Sequence, residues 1–549
     1  MKRTNFTFQT GSNSAPQNPV MAQLKALGAV VVIALVADYV LLPAYNIHSM
    51  ETLFLFGVYF GVYAFLSFSF SGRLVRSGML AIGAIGALVI LTLLASFLGS
   101  EWLNAEKYRD QIAITSKTFS SDFNDVDFDK IPLIDYETAT QLGDKQLGKV
   151  QGLGSQYDID PAYTLITATD NIYRVSPLVY QDLYKWFQNR ESGIPGYVKV
   201  NVNDLNDVKL IELSQGMRYS PSAFFHEDLM RHVRFRYRTE IFSDFSFEID
   251  ESGHPYYVIS IIEPKIGFFS GWDAVGVIVV DAVTGDTAKY GLDAIPSWVD
   301  RVQPTDLAWY QVDNWGYYVN GFFNTLFGRK DVIQTTDGFN FVVIDGQTHV
   351  YSGMTSVGAD RSIVGFALIN LKTKAATYYQ VGGADEYSAM SSAQGQVQDL
   401  GYSATFPVLL NYEGVPSYFM SLKDNEGLIK QYALVSVSDY SVVGVGNSLE
   451  QAKSTYHARL IEAGILDAPL VTPVEVEETV TRIVSAIVNG QSTYYLTLSN
   501  QTKLFVVDVS MSAEIVLTQV GDRVKLTIQS EAEGMTIFAL TFNNLNYDY

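Results

Sequence analysis

Three apolar runs near the N-terminus, followed by about 450 residues with no further run of that kind, constrain this chain most. They are Ala26–Leu42, Leu53–Phe70 and Gly78–Leu98, of 17, 18 and 21 residues. A helix crosses the hydrocarbon core with roughly 17–25 apolar residues, so each is long enough to span. The sequence thus predicts three transmembrane helices within residues 26–99 and one large portion outside the bilayer. A cleaved signal peptide would have a single short apolar core and a small-residue cleavage site, not three spaced segments.

Basic residues stay on the cytoplasmic side and set the orientation. The tail, residues 1–25, carries Lys2, Arg3 and Lys25; the first connection, Ala44–Thr52, has no Lys or Arg; the second, Ser71–Ser77, has Arg73 and Arg76. This alternation predicts a cytoplasmic N-terminus and an extracellular bulk. Removing these five basic residues and the two preceding acids, Asp38 and Glu51, from totals of 37 and 58 leaves the outer part at about −24. Such a charge disfavours nucleic acid and anionic lipid as partners of the whole domain. The chain has no cysteine, so disulfides and thiolate metal sites are excluded.

Within the spans, Asp38 is an ionisable residue near the outer end of the first helix. At that depth it is a functional candidate. The competing reading is a structural partner at headgroup level or on a neighbouring helix. Gly57 and Gly61, like Gly83 and Ala87, have the small-x-x-x-small spacing that lets helices approach closely, within one chain or between chains.

Residues 100–130 read as a charged exit helix, Glu101–Thr115, and a polar loop. Its acids Asp122, Asp125, Asp127 and Asp129 lack the glycine and closing Glu of an EF-hand, which favours a solvated acidic loop. From 131 to 460 short Tyr-, Phe-, Val- and Ile-rich runs predict strands, among them Tyr256–Ile262, Gly276–Val280, Phe339–Ile344 and Phe366–Leu371. Helical patterns interrupt them at Ser176–Phe187, Pro221–Arg234, Glu386–Leu400 and Ser448–Ala463. The segment Val275–Tyr290 aligns without gaps on Val364–Tyr379, with Asp281 on Asn370, Thr284 on Thr373 and Tyr290 on Tyr379. The pattern is a strand, a tight Asp/Asn-x-x-Thr turn and a return strand. A weaker echo pairs Gly253–Tyr257 with Gly414–Tyr418. Together they predict two or three copies of an α+β unit, each a helix with a short antiparallel sheet.

The hairpin Val277–Tyr290 resembles that of PepSY-type domains of bacterial envelope proteins. The chain as a whole is similar to a group of large, poorly characterised membrane proteins of low-GC Gram-positive bacteria, through Pro296–Val302, Gln334–Phe339, Glu386–Met390 and Gly395–Gln398. The group lends no activity; PepSY-like units imply binding or inhibition within the envelope.

Residues 461–478, with Pro469, Pro473 and several acids, read as an extended linker. The remainder, 479–549, reads as a small all-β, OB-like barrel: strands at Thr479–Val488, Thr493–Leu498, Lys503–Val509, Arg523–Gln529 and Thr536–Phe542, with a helical turn at Ala513–Thr518. Nucleic-acid binding by that fold needs a basic, aromatic groove, and Lys and Arg are sparse here.

Catalytic motifs are absent. The histidines, His48, His226, His232, His254, His349 and His457, are scattered, and His226 and His232 are six apart rather than four. No catalytic residue, cofactor or metal is therefore assigned. One basic cluster remains, Arg231, Arg234, Arg236 and Arg238. Alternation of the last three suits the open face of a strand. Arginine forks bind phosphate and carboxylate, so the cluster reads either as a dock for an anionic envelope polymer or lipid headgroups, or as salt bridging to the domain's own acids. The expected protein is a membrane-anchored extracytoplasmic binding or scaffolding protein, in contact with membrane lipid and self-assembling as a homo-oligomer. The alternative is a wall-polymer hydrolase using buried carboxylates.

Overall fold

The computed structural model describes residues 19–119, 132–168, 171–344, 346–358, 362–467, 474–488, 491–528 and 536–546. The acids Asp122, Asp125, Asp127 and Asp129 lie outside them, as does most of the N-terminal tail. The chain divides into two compact units, Met1–Val445 and Gly446–Tyr549.

The three apolar runs are helices α1 (Pro19–Leu41), α2 (Met50–Ser71) and α3 (Arg76–Leu98), each long and apolar enough to cross a membrane. Ser49 caps α2 through its hydroxyl, which accepts the Thr52 N–H at 3.3 Å. Gly72, at φ 68°, ends it by donating to the Phe68 carbonyl. The Gly57-x-x-x-Gly61 spacing works within the chain: a Cβ at Gly57 would meet Leu88 of α3 at 3.7 Å, and one at Gly61 would meet Ile85 at 3.9 Å. Most other side chains of the spans face outward and are apolar, as lipid requires.

After the short helix α4 (Glu101–Arg109) and strand β1 (Ile114–Lys117), the chain builds four antiparallel meanders, each entered through a helix. The first follows α5 (Tyr136–Leu147) and holds β2 (Tyr157–Ile159), β3 (Thr164–Ala168), β4 (Asn171–Tyr180), β5 (Ile194–Asn201) and β6 (Val208–Met217), with α6 (Leu183–Asn189) between β4 and β5. The second follows α7 (Leu229–Arg236) with β7 (Phe242–Ile249), β8 (Pro255–Ile266), β9 (Ser270–Asp281) and β10 (Thr287–Gly291). The third follows α8 (Thr305–Tyr317) with β11 (Ile333–Thr335), β12 (Asn340–Ile344), β13 (Gln347–Ser356), β14 (Ser362–Ile363), β15 (Gly365–Asn370) and β16 (Ala376–Tyr379); β1 joins its edge, parallel to β16. The fourth, after β17 (Gly383–Ala384) and α9 (Glu386–Gln396), holds β18 (Ser403–Ala404), β19 (Val408–Tyr412), β20 (Val415–Lys423), β21 (Ile429–Ser436) and β22 (Val443–Gly446). Neighbouring strands pair in sequence: β3-β4-β5-β6, β7-β8-β9-β10, β12-β13-β15-β16 and β19-β20-β21-β22.

The same hydrogen bonds recur in all four. The last residue of the third strand, Asn201, Asp281, Asn370 or Ser436, accepts on its side chain from the turn that follows: Asn203 N at 3.0 Å, Val283 and Thr284 N at 2.8 and 3.0 Å, Lys372 and Thr373 N at 2.9 and 2.8 Å, Asp439 N at 3.3 Å. The next residue's carbonyl receives the segment leading to the unit's helix. Leu133 and Ile134 N–H donate to Val202, Arg218 and Tyr219 to Ala282, Val302 and Gln303 to Leu371, and Ala384 to Val437, all at 2.8–3.0 Å. The two hairpins aligned in sequence share one register, Val277 facing Tyr290 and Phe366 facing Tyr379. Each turn closes through one left-handed residue, Gly285 at φ 78° and Lys374 at φ 66°. Among the described residues this arrangement occurs four times, where the sequence pattern suggested two or three units. The other two turns carry Asn and Ser with different neighbours, so only the geometry is common.

The meanders pack in pairs. Tyr197 and Val198 of the first share a core with Tyr257 and Ile259 of the second. Tyr351 and Phe366 of the third share one with Tyr418 and Met420 of the fourth. Ala389 and Ala393 bring α9 close against that second core. Gly285→Ala is expected to destabilise the protein by about 1–3 kcal/mol, because φ is left-handed and the new Cβ would lie 2.3 Å from the Tyr219 ring. Chemical unfolding of the single variant checks this.

Three expectations are corrected. Residues 176–180 belong to β4, because Val175, Leu178 and Tyr180 are buried in a sheet; only Leu183–Asn189 is helical. The segment Thr305–Tyr317, within the region expected to be mainly strand and not among its four helical patterns, is a helix. The linker ends early: Val474–Glu478 pair with β26 below.

The second unit comprises α10 (Leu449–Glu462), β23 (Val474–Val488), β24 (Gln491–Leu498), β25 (Leu504–Asp508), β26 (Arg523–Ile528), β27 (Thr536–Phe538) and β28 (Thr541–Asn544). Its sheet runs β27-β25-β24-β23-β26-β28. It is not a closed barrel, since the end strands do not pair; they are joined in sequence by Ala539 and Leu540, which donate to Val506 and Thr527 on either side.

Candidate functional site

Of the residues singled out in sequence, Asp38, Arg231 and Arg238 meet where the region after α3 joins the first span. Helix α7 starts at Asp228, whose Oδ1 accepts the Arg231 N–H at 2.8 Å. Leu229 and Val233 turn inward and are buried. Arg231, Arg234 and Arg236 lie on this helix and Arg238 in the turn after it, not on the strand expected from alternation: apolar residues four apart face one core. The four arginines therefore point in different directions.

Arg238 donates from one guanidinium nitrogen to both carboxylate oxygens of Asp38, at 3.1 and 3.0 Å. Arg231 donates from Nε to the Tyr39 carbonyl at 3.2 Å and lies 4.5 Å above the Tyr39 ring. Arg234 is buried, donates to the Tyr237 and Glu240 carbonyls, and lies 4.0 Å over Phe242. Burial lowers its pKa to about 10, so it stays charged at neutral pH. Arg236 is exposed. Three of the four arginines are thus engaged inside the chain, and Asp38 is the acid at the centre of the clasp.

The loop between α1 and α2 completes the junction. Tyr45 N–H donates to the Arg238 carbonyl at 2.8 Å, Asn46 Nδ2 to the Thr239 carbonyl at 2.8 Å, and His48 Nδ1 lies 2.8 Å from the Phe268 carbonyl. Burial and the Asp38 carboxylate raise the Tyr45 hydroxyl to about 12. At the exit of α3, the Tyr310 and Tyr318 hydroxyls donate to Glu101 at 2.6 and 2.7 Å. The first loop and the exit of α3 therefore meet the same part of the first unit, at one end of the spans.

A second cluster was not foreseen. Glu248 of β7 is fully buried; its Oε1 accepts from the Ser246 hydroxyl at 2.6 Å and Arg301 N at 3.2 Å, and its Oε2 from Asp300 N at 2.7 Å. Asp300 Oδ2 accepts from Thr167 N at 2.8 Å. The Arg301 guanidinium lies 4.4 Å over Phe341. The knot ties the first three meanders together. Burial raises Glu248 to about 7 and Asp300 to about 6. The available signal was Glu248 itself, a charged residue inside the apolar run Phe245–Ile249.

An open cleft of about 620 Å³ lies beside α9, lined by Gln334, Thr336, Asp337, Asp385, Tyr387 and Gln394 among others. Asp385 is committed to capping α9, accepting Ser388 N at 2.7 Å. Next to it, Glu386 is buried and accepts Gly353 N at 2.7 Å; burial raises its pKa. Among the described residues no group of three or more His, Asp or Glu is placed to hold a metal ion.

No family model matches the chain, nor does any curated protein. Two solved structures align with it at 8% identity and a TM-score of 0.18. One is a levansucrase mutant of B. megaterium, covering 79% of this chain and 96% of that one. The other is a glycoside hydrolase of family 32 from Bifidobacterium adolescentis, covering 71% and 66%. A TM-score that low says nothing about a shared fold.

Proposed function

We propose that this chain is a membrane-anchored extracytoplasmic binding or scaffolding protein of a bacterial cell envelope that assembles with copies of itself. The observation that carries the reading is the clasp at Asp38 and Arg238. With the loop contacts at Tyr45 and Asn46, it holds a large ectodomain in a defined attitude to its spans, which a platform for partners needs and a tethered hydrolase does not. The repeated helix-plus-meander units support a PepSY-like relationship within low-GC Gram-positive membrane proteins. The second unit reads as OB-like: β23 is long and pairs with both β24 and β26, and β25 lies parallel to β27. Gly83 and Gly86 have nothing within 4 Å of a would-be Cβ, leaving a close-approach face on α3 for another copy. Arg236 remains open to an anionic envelope polymer.

Mass measurement of the full chain in mild detergent and in lipid nanodiscs tests assembly; a defined oligomer in both is expected, and a monomer in both refutes it. Protease added to intact protoplasts is expected to remove the region after Gly99, and full protection refutes the outward orientation. The cleft at Asp337 and Asp385 favours the hydrolase as second reading. Release of soluble fragments from purified cell wall by the wild type, lost in Asp337→Asn, would bear it out.

A further inference from the structure

We infer that the segment 319–330 (VNGFFNTLFGRK) is a second, non-spanning membrane contact that inserts its apolar tip into the outer-leaflet interface beside α3. Leu326, Phe323 and Phe327 are 54%, 59% and 83% exposed, a dense apolar surface for one short loop.

The segment is built, not slack, and Asn324–Gly328 form a short π-helical turn at its tip. Asn320 and Asn324 donate from their side-chain amides to the Lys330 carbonyl at 3.0 and 2.9 Å, and Asn324 Oδ1 accepts the Lys330 N–H at 3.1 Å. Arg329 and Asp331 take left-handed φ of 49° and 59° to close it, a conformation unfavourable for residues with a Cβ. Phe322 turns inward, stacked on Tyr318 at 6.3 Å. The fold therefore accepts backbone strain to hold Phe323, Leu326 and Phe327 outward.

Position identifies the occupant. Tyr318, immediately before the loop, hydrogen-bonds Glu101, and the Tyr108 hydroxyl beneath it donates to the Gly99 carbonyl at 2.8 Å. Glu101 is three residues past Leu98, the last residue of α3. At about 1.5–3.3 Å per residue that lies about 5–10 Å beyond the span, in or at the edge of the headgroup layer, which is roughly 5–7 Å deep on each side. The loop starts at that depth. Trp102 and Leu103 of α4, 49% and 48% exposed, lie at the same level, where Trp is favoured. Arg329 and Lys330 flank the apolar tip in an otherwise acidic ectodomain, which suits lipid phosphates. A lipid surface fits apolar tip, basic flank and depth together.

The chain has no cysteine, so Phe327→Cys in the full-length protein gives a unique labelling site. With an environment-sensitive fluorophore there, in nanodiscs of phosphatidylcholine and phosphatidylglycerol, we expect blue-shifted emission, quenching by nitroxide-bearing lipids and protection from aqueous iodide. Trp102→Cys serves as the headgroup-level reference, and Leu326→Cys should repeat the Phe327 pattern. Quenching by iodide without lipid quenching overturns the inference. So does protection from both quenchers, which would mean that protein, such as a second copy, covers the loop.

Discussion

Arg238→Glu is expected to loosen the region after α3 from the first span. The wild-type guanidinium satisfies both oxygens of Asp38, whose side chain is only 16% exposed, whereas that of Arg238 is 43% exposed. Exposed pairs are worth under about 1 kcal/mol, and breaking a buried one costs about 3–5 kcal/mol. This pair lies between those limits, and the substitution adds repulsion, so about 2 kcal/mol is expected. That corresponds to roughly 30-fold faster hydrogen exchange. The effect should concentrate at the Tyr45 N–H, which donates to the Arg238 carbonyl. Restoring opposite charges with Asp38→Arg in the Arg238→Glu background should recover most of the protection, since an arginine near a span's end extends to the interface. Unchanged exchange at residues 44–49 in Arg238→Glu, measured in nanodiscs, would show that the pair does not hold the junction.

Acidification from pH 8 to pH 5.5 is expected to stabilise the first unit, opposite to the usual behaviour of paired carboxylates. Burial raises Glu248 from 4.5 to about 7 and Asp300 from 3.8 to about 6. The folded state then binds protons more tightly than the unfolded one between about pH 4 and 7. Stability contributed by these groups is complete below the unfolded values and is lost as pH rises through the folded ones. For Glu248 the part realised between pH 8 and pH 5.5 is about 2 kcal/mol. Asp244, Asp313 and Glu386, also raised by burial, act with the same sign. Asp135 and Asp281 are lowered, so their contribution is lost only as pH falls below about 4, outside this window, whereas His232, lowered by burial, opposes the effect within it. A midpoint about 5 °C or more higher at pH 5.5 is expected for the whole effect. Glu248→Gln should remove much of the difference. An unfolding midpoint that rises with pH over this range would contradict the direction.

Both expectations rest on contacts between residues far apart in the chain, and this separates what was legible from what was not. The spans were legible because twenty consecutive apolar residues have few alternatives to a bilayer. So were most strands, the helices over Glu386–Leu400 and Ser448–Ala463, and the hairpin pair, because period, turn chemistry and register are written within about fifteen residues. The helix at Thr305–Tyr317 was not, since its aromatics serve either state and its burial against β13 and β15 decides between them. The helix carrying Arg231 and Arg234 was legible within Pro221–Arg234, but its continuation to Arg236 was not, because alternation of Arg234, Arg236 and Arg238 read as a strand.

The site divides in the same way. The sequence by itself determined that Asp38 is anomalous in a span, that Arg231–Arg238 is anomalous in an acidic domain, and that Gly57 and Gly61 permit close helix approach. Only the tertiary structure decided that the first two anomalies cancel each other across 200 residues. The reason is physical. A carboxylate at the membrane boundary and an arginine beside it are each costly alone, and that cost shows locally as an unusual residue. The partner that relieves the cost is chosen by which surfaces the four meanders bring together, and no local pattern encodes that choice.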